Sequence, residues 1–380
     1  MYDIPDYGRM IAFKERTAAY ARALETRVVP DSAVLDIGTG SGILALLACR
    51  AGARKVYAVE SEDIIELARE TARDNGFSDR IEFIHGLSTQ VSLPERIDGI
   101  VAEIHGLLPL YGISLASLID ARERLLKPGG WIIPERETVR ASLVSCPQIH
   151  RELTAMWNTE YGFEFAGARE RVCNSLLRVR IDEVNLATEH KEWVRLDYRK
   201  IASPNIDGAL SWSIDRATTI HGLCLWYDCE TAAGLGFSNA PGLANAYASK
   251  HAFFPLPEAA ALSPGDTVGV ALRADLVGSD YVWSWNTRVI DKSGTVRRHH
   301  NQSTFMGTLI GRRKMQRRSE AFVADPGEEW AVDKSAMGLM QARASLGEIA
   351  TALFAQYPGR FKTWNEALTK AADLAERYSK

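Results

Sequence analysis

The sequence predicts an α/β fold: a doubly wound, Rossmann-like domain, then a β-barrel-like domain, then a short helical C-terminal region. Three observations predict it. Short apolar strand runs alternate with helical stretches between Ala33 and Pro134. Alternating segments punctuated by Gly, Pro and Asn dominate after that, and helical spacing returns from Ala336. The length of 380 residues admits two or three domains at roughly 150 residues each. The expected boundaries are 1–136, 137–325 and 326–380, with a helical insertion near 149–173.

The first thirty residues read as helix. Arg9 to Tyr20 has no Gly or Pro and carries helix-spaced apolar positions, and Val28-Val29-Pro30 ends it. Val34-Leu35-Asp36-Ile37 reads as a buried strand, Gly38-Thr39-Gly40-Ser41-Gly42 as a turn, and Ile43 to Ala51 as a helix stopped by Gly52. Lys55–Glu60, Ile81–Ile84, Ile97–Glu103 and Trp131–Pro134 supply four more strands. Ile64–Asn75 and Leu115–Leu126 are the intervening helices. Parallel strands buried on both faces need such continuous apolar runs. The later strand candidates are Thr138–Val144, Trp193–Tyr198, Trp212–Ile214, Leu223–Cys229, Thr267–Leu272, Tyr281–Ile290 and Ser303–Gly307. Ser345 with Glu348 three residues on is a capping-box start, and Trp364–Tyr378 is a further helix.

Composition excludes several classes. Apolar residues at 46% and charged residues at 24% rule out a disordered chain or a minimal stapled scaffold. The net charge of -3 predicts no overall attraction to polyanions. The basic run Arg312-Arg313-Lys314 with Arg317-Arg318 reads as a solvated face, so no nucleic-acid partner is expected. No segment is long and apolar enough to cross a bilayer, so no membrane partner is expected either. Cys49, Cys146, Cys173, Cys224 and Cys229 show no CxxC spacing, which argues against a disulfide framework or zinc ribbon. With no basic-then-apolar signal in Met1–Asp6, a cytoplasmic location is expected. His299-His300 lacks further ligands at suitable spacing, and no metal is expected. Trp283 and Trp285, two apart, share one strand face and read as core.

The chemistry concentrates in the first domain. Glycines after a buried strand let backbone approach a ligand, and the following helix offers free N–H groups. The spacing Gly38-x-Gly40-x-Gly42 differs from the Gly-x-Gly-x-x-Gly preferred for a pyrophosphate. Glu60, with Ser61 beside it, ends the second strand where a carboxylate can accept both ribose hydroxyls. A ligand with ribose and an ammonium but no phosphate fits. S-adenosyl-L-methionine is such a ligand, and Asp36 suits its ammonium; NAD is the alternative. Glu103 and His105 follow the fourth strand, beside that ligand. Glu103 can orient a nucleophile, and His105 or a water can remove its proton.

Together these residues resemble the protein arginine methyltransferase family over about residues 2–310. Val34 to Gly42 is similar to that family's first motif, and Val56-Tyr57-Ala58-Val59-Glu60 to its ribose-binding strand. Met10, Arg16 and Tyr20 match its cofactor-covering helix, which implies that Arg16 pairs with the cofactor's carboxylate. Gly86-Leu87-Ser88-Thr89 falls where the family contacts adenine, so Ser88 and Thr89 join the cofactor set. Trp157 to Glu164 resembles the start of a dimerisation arm, which implies a homodimer. The resemblance implies an S-adenosyl-L-methionine-dependent N-methyltransferase with a Rossmann-like methyltransferase domain.

The substrate loops depart from that pattern. The second carboxylate of the family's double-glutamate loop falls on Gly112, and a Thr-His-Trp sequence is absent near Tyr247-Ala248-Ser249-Lys250. A planar cation prefers paired bidentate bonds, so guanidine, imidazole and amine nitrogens all stay open. The acceptor is expected to be a peptide or a small amino-acid-like molecule. Two other readings remain: an NAD-dependent oxidoreductase, and a binding module that keeps the fold without catalysis. The region beyond about 330 weakly resembles the helical part of peptide-binding domains, against a plain helical cap on the barrel.

Overall fold

Two helices, α1 (Ile4–Ala12) and α2 (Lys14–Arg27), precede the first strand. The stretch expected to be one helix is therefore two. Phe13 leaves helical geometry (φ −73°, ψ 88°), and its N–H closes α1 on the Arg9 and Met10 carbonyls. Its ring is buried edge-on against Phe237. A tertiary contact thus decides a break that local propensity does not announce. The computed structural model describes residues 3–157, 161–243 and 250–378.

The sheet that follows is parallel, in the order β3-β2-β1-β4-β5. Its strands are β1 (Ala33–Ile37), β2 (Lys55–Glu60), β3 (Ile81–His85), β4 (Ile97–Ala102) and β5 (Leu126–Ile133). The helices α3 (Ile43–Arg50), α4 (Ile65–Asp74) and α5 (Ser114–Arg124) connect them. Strand order reverses beside β1, because β2 and β4 flank it in register (Ile37 opposite Val59 and Ala102). Ligands in such sheets bind outside the strand C-termini at this reversal. Leu35, Ile100 and Ile132 have no exposed surface, and truncating one of them to Ala costs about 2–5 kcal/mol.

Antiparallel sheets begin at β6 (Arg136–Val144). Beyond α6 (Pro147–Ala155) and α7 (Ala166–Cys173) come β7 (Leu177–Val179), β8 (Lys191–Asp197), β9 (Ile206–Ser213), β10 (Thr218–Ala232) and β11 (Leu235–Ser238). Then follow β12 (His251–Leu262), β13 (Thr267–Val277), β14 (Asp280–Ile290) and β15 (Val296–Ser303). One sheet runs β7-β12-β10-β6-β8, with β11 added on β10; the other runs β15-β14-β13-β9. Trp283 and Trp285 lie buried on the inner face, where their rings meet Phe254 at 5.4 and 5.0 Å. They are core. The segment Ser303–Gly307, expected as strand, is instead the end of β15 and a helical turn, α8 (Thr304–Gly307). The Ser303 hydroxyl accepts the Phe305 N–H and caps that turn.

The chain divides into two compact units at Thr308/Leu309, whereas the sequence places its last boundary at 325/326. The second unit holds α9 (Arg312–Gln316), α10 (Glu328–Gln341), α11 (Leu346–Gln356) and α12 (Trp364–Tyr378). Val332, Ala336, Ile349, Leu353, Phe361 and Leu374 form a core of its own. The Ser345–Glu348 capping box is present. Residues Arg312–Arg318 are all exposed. All five cysteines are free and buried. Burial pushes the Cys146 thiol up to about 12 and the Cys173 thiol to about 11, which removes them as nucleophiles at neutral pH. Among the described residues no helix is long and apolar enough to cross a membrane, and no three metal-ligating side chains converge.

Candidate functional site

The turn between β1 and α3 is built from three glycines with positive φ: Gly38 at 69°, Gly40 at 55° and Gly42 at 87°. Close packing also requires two of them. A Cβ on Gly38 would lie 2.4 Å from the Ile104 side chain, and one on Gly40 would lie 2.8 Å from the Tyr7 ring of α1. The backbone therefore forms a bare floor, with α1 above it and the 103–113 loop beside it. These elements enclose a cavity of about 1040 Å³ outside the C-terminal ends of β1, β2 and β4.

Glu60 faces this cavity from the end of β2, already oriented. Its Oε2 accepts the Gly40 N–H at 3.0 Å, and its Oε1 accepts those of Ser61 and Glu62 at 2.8 and 3.1 Å. Three backbone donors hold the carboxylate and leave lone pairs for a diol. Arg16 enters from α2. One guanidinium nitrogen donates to the Met10 carbonyl at 2.7 Å, the other to Glu103 Oε2 at 2.8 Å. Arg16 is 5% exposed, so this pair is shielded from screening by solvent.

Of the residues singled out in the sequence, Met10, Arg16, Gly38, Gly40, Glu60, Ser61, Ser88, Glu103 and His105 all line the one cavity. Asp36, Gly42 and Thr89 do not. Asp36 has no exposed surface and accepts the Thr39 hydroxyl at 2.6 Å, bracing the turn from beneath. Burial raises its carboxyl to about 7. It is thus placed to support the loop, not to meet a ligand's ammonium as expected. Gly42 opens α3 against Ala68 of α4. Thr89 is exposed to solvent.

His105 differs most from expectation. Its side chain is 4% exposed and lies between two carboxylates. Nε2 is 2.9 Å from Glu137 Oε1, and Nδ1 is 3.6 Å from Glu103 Oε1. These are ion-pair distances without aligned hydrogen bonds at Nδ1 or at Glu137 Oε1. Burial lowers the affinity of this ring for a proton, but the Glu137 and Glu103 carboxylates outweigh it and raise the imidazole to about 10. The two carboxylates favour the imidazolium, which has no free lone pair, and so argue against the role of base that the sequence suggested for His105. For Glu103, burial raises the carboxyl, yet Arg16 and His105 outweigh it, and it stays below the usual range and ionised.

Sequence reasoning missed Glu137, Tyr7, Tyr198 and Tyr227. Glu137 of β6 has no exposed surface, and its other oxygen accepts the Tyr198 hydroxyl. The Tyr227 ring of β10 lies 5.5 Å from the His105 ring. A glutamate inside an otherwise apolar strand was the available signal, but Arg136 and Glu135 beside it disguise it as a polar strand start. Arg178 of β7 also reaches the cavity. Residues 247–249, where a Thr-His-Trp loop would fall, lie outside the described residues, as do 158–160 of the expected dimerisation arm.

Comparison with known proteins agrees with this geometry. The family "Ribosomal protein L11 methyltransferase (PrmA)" matches residues 15–135. "Probable protein arginine N-methyltransferase 6" of Arabidopsis thaliana is 31% identical over 234 residues, 59% of this chain and 54% of that protein. The chain thus spans about half the length of that relative. Protein arginine N-methyltransferase 1 of Schizosaccharomyces pombe is 30% identical over 243 residues, 62% of this chain and 72% of the relative. The same fold appears in the PRMT1 enzyme-prozyme heterotetrameric complex of Trypanosoma brucei with AdoHcy (TM-score 0.71, 22% identity, 78% of this chain and 96% of that one). It appears again in protein arginine methyltransferase 10 of Arabidopsis thaliana (TM-score 0.68, 21% identity, 79% and 97%). With 30% identity to the Schizosaccharomyces relative across 72% of its length, the chain belongs to the protein arginine N-methyltransferase family.

Proposed function

We propose that this chain transfers a methyl group from S-adenosyl-L-methionine to a nitrogen of a peptide or amino-acid-like acceptor, with the guanidinium of an arginine as the preferred group. The observation that carries the reading is the position of Glu103. Its ionised carboxylate sits at the end of β4, on the wall of the same cavity as the glycine floor and Glu60. The residues fit the cofactor: the glycine turn lines the cavity with backbone at Gly38 and Gly40, where a Cβ would collide with Ile104 and Tyr7, and Glu60 offers a fixed acceptor for a ribose. Arg16 can meet a carboxylate and Ser88 can border an adenine.

Bound there, S-adenosyl-L-methionine would supply an activated methyl with its thioether as the leaving group. Glu103 orients the acceptor N–H and holds its positive charge; α1 shields the cavity from water. The nitrogen gains positive charge as it attacks the methyl carbon and becomes strongly acidic, so a weak base such as Glu103 or a water is sufficient to take its proton. Gly112 lines the cavity where the family pattern has a second carboxylate. That loop thus offers a guanidinium one carboxylate instead of two, which predicts a weak acceptor affinity rather than a loss of chemistry.

The test is transfer of labelled methyl to otherwise identical peptides carrying Arg, Lys or His, with mass spectrometric location of the label. Label on arginine nitrogen is the expected result. Label on another residue overturns the acceptor assignment. No transfer to any peptide or small acceptor, with S-adenosylhomocysteine still bound, favours the inactive binding module.

A further inference from the structure

The buried Glu137 has no part in the chemistry proposed above. It comes from β6, in the barrel sheets, yet its Oε1 meets His105 of the loop after β4 at 2.9 Å. The Tyr198 hydroxyl fixes its second oxygen. On the far side, His105 Nδ1 faces Glu103 Oε1 at 3.6 Å. The result is a chain of alternating charge: Arg16, Glu103, His105, Glu137. Tyr20, Tyr198, Tyr227 and Cys229 surround Glu137, and their protons are held tightly by burial and by the Glu137 charge. These neighbours stay neutral, so the charges around His105 are those of Arg16, Glu103 and Glu137.

We propose that Glu137 is a positioning residue for methyl transfer: it fixes the His105 ring so that His105 holds Glu103 in its working orientation. The inference rests on the proposed methyltransferase reading. Its physical reason is a change of partners. Glu103 is held by Arg16 on Oε2 and by His105 on the Oε1 side. If a ligand carboxylate shares Arg16, Glu103 loses part of one restraint. The loop it sits on has little regular hydrogen bonding, with the Ser114 hydroxyl donating to the Ile104 carbonyl at 2.6 Å as a local tie. His105 is the remaining restraint, and it is anchored outside that loop by a carboxylate with no exposed surface. A free imidazole on a loop would swing; one pinned to β6 does not. Removing one charge of a buried pair leaves the other uncompensated, so the effect of Glu137 should pass through His105.

The experiment compares the full-length chain with Glu137→Gln, His105→Gln and the double variant. Four quantities are read: S-adenosylhomocysteine affinity, kcat and KM for the acceptor between about pH 6 and 9, and the ring-nitrogen NMR signals of His105. Each single variant is expected to lose roughly ten- to a hundredfold in kcat, with S-adenosylhomocysteine affinity within about twofold of the parent. The double variant should be no worse than either single one, because both act along one path. In the parent the His105 signals should be those of an imidazolium throughout; in Glu137→Gln the ring should titrate within the range and kcat should fall with it as pH rises. Retained kcat in Glu137→Gln, or multiplicative losses in the double variant, overturns the proposal. So does a neutral His105 in the parent at neutral pH. If Glu137→Gln does not fold, His105→Gln and the parent's NMR signals decide between the same two outcomes. A parent with an imidazolium His105 but no methyl transfer refutes the enzyme reading instead, and with it the positioning role.

Discussion

Glu60 carries the most direct residue-scale consequence. Three backbone donors orient it before any ligand arrives, so its charge-assisted bonds to a ribose should be strong. Glu60→Ala is expected to weaken S-adenosylhomocysteine binding by about 1–3 kcal/mol, read by calorimetry. Unchanged affinity would remove the ribose assignment. Asp36 leads to a pH prediction. Its folded carboxyl is raised to about 7 by burial, above the ordinary value of 3.8. The folded state thus binds the extra proton, and the stability from this group is present at low pH and lost as pH rises from about 4 to 7. Asp36→Asn keeps an oxygen for Thr39 and removes that titration. Its melting temperature relative to the parent should rise between pH 5 and pH 8, and a flat difference would contradict the assignment. At this scale Glu60, Arg16 and Glu103 were readable in the sequence, because each ends a strand or falls within a recognisable motif. The Glu103–His105–Glu137 chain was not, because the barrel strand that supplies Glu137 meets the β4 loop only in three dimensions. The same contact favours a cationic His105 over the expected base.

Among the elements, the five parallel strands were legible because strands buried on both faces must be apolar runs between glycine turns. β12 was not, since Pro255 and Pro257 interrupt its pattern, while β7 and β11 are too short to show a period. α1 illustrates a different limit: it has no buried residue, so its role as a cover follows from the Tyr7 ring over Gly40 and not from its own sequence. Gly40→Ala should be damaging on two counts, a strained φ of 55° and a collision with Tyr7. S-adenosylhomocysteine affinity is expected to fall at least tenfold, about 1.4 kcal/mol. Gly52→Ala shares a positive φ but meets nothing within 4 Å, and it should cost stability alone, read as a lower melting temperature with affinity kept. Equal affinity loss in both variants would mean that the floor is merely structural.

For the whole molecule, the important division is at Thr308/Leu309. The cofactor-type cavity and the Glu103–Glu137 chain lie within the first unit, while the second has its own helical core. Deleting residues 309–380 is therefore expected to leave S-adenosylhomocysteine affinity within about twofold. A large loss would show that the helices support the site. Whether the second unit governs the choice of peptide follows from the same pair of proteins, by comparing their KM for acceptor peptides of different length. Everything proposed for the molecule depends on Glu103 holding the acceptor in a cavity built for the methyl donor. Glu103→Gln, assayed for labelled methyl transfer and for S-adenosylhomocysteine binding in the same preparation, tests that role most directly. A loss of transfer of roughly a hundredfold or more with binding preserved is the predicted result; transfer at the parent's rate, or equal loss of transfer and binding, would contradict it.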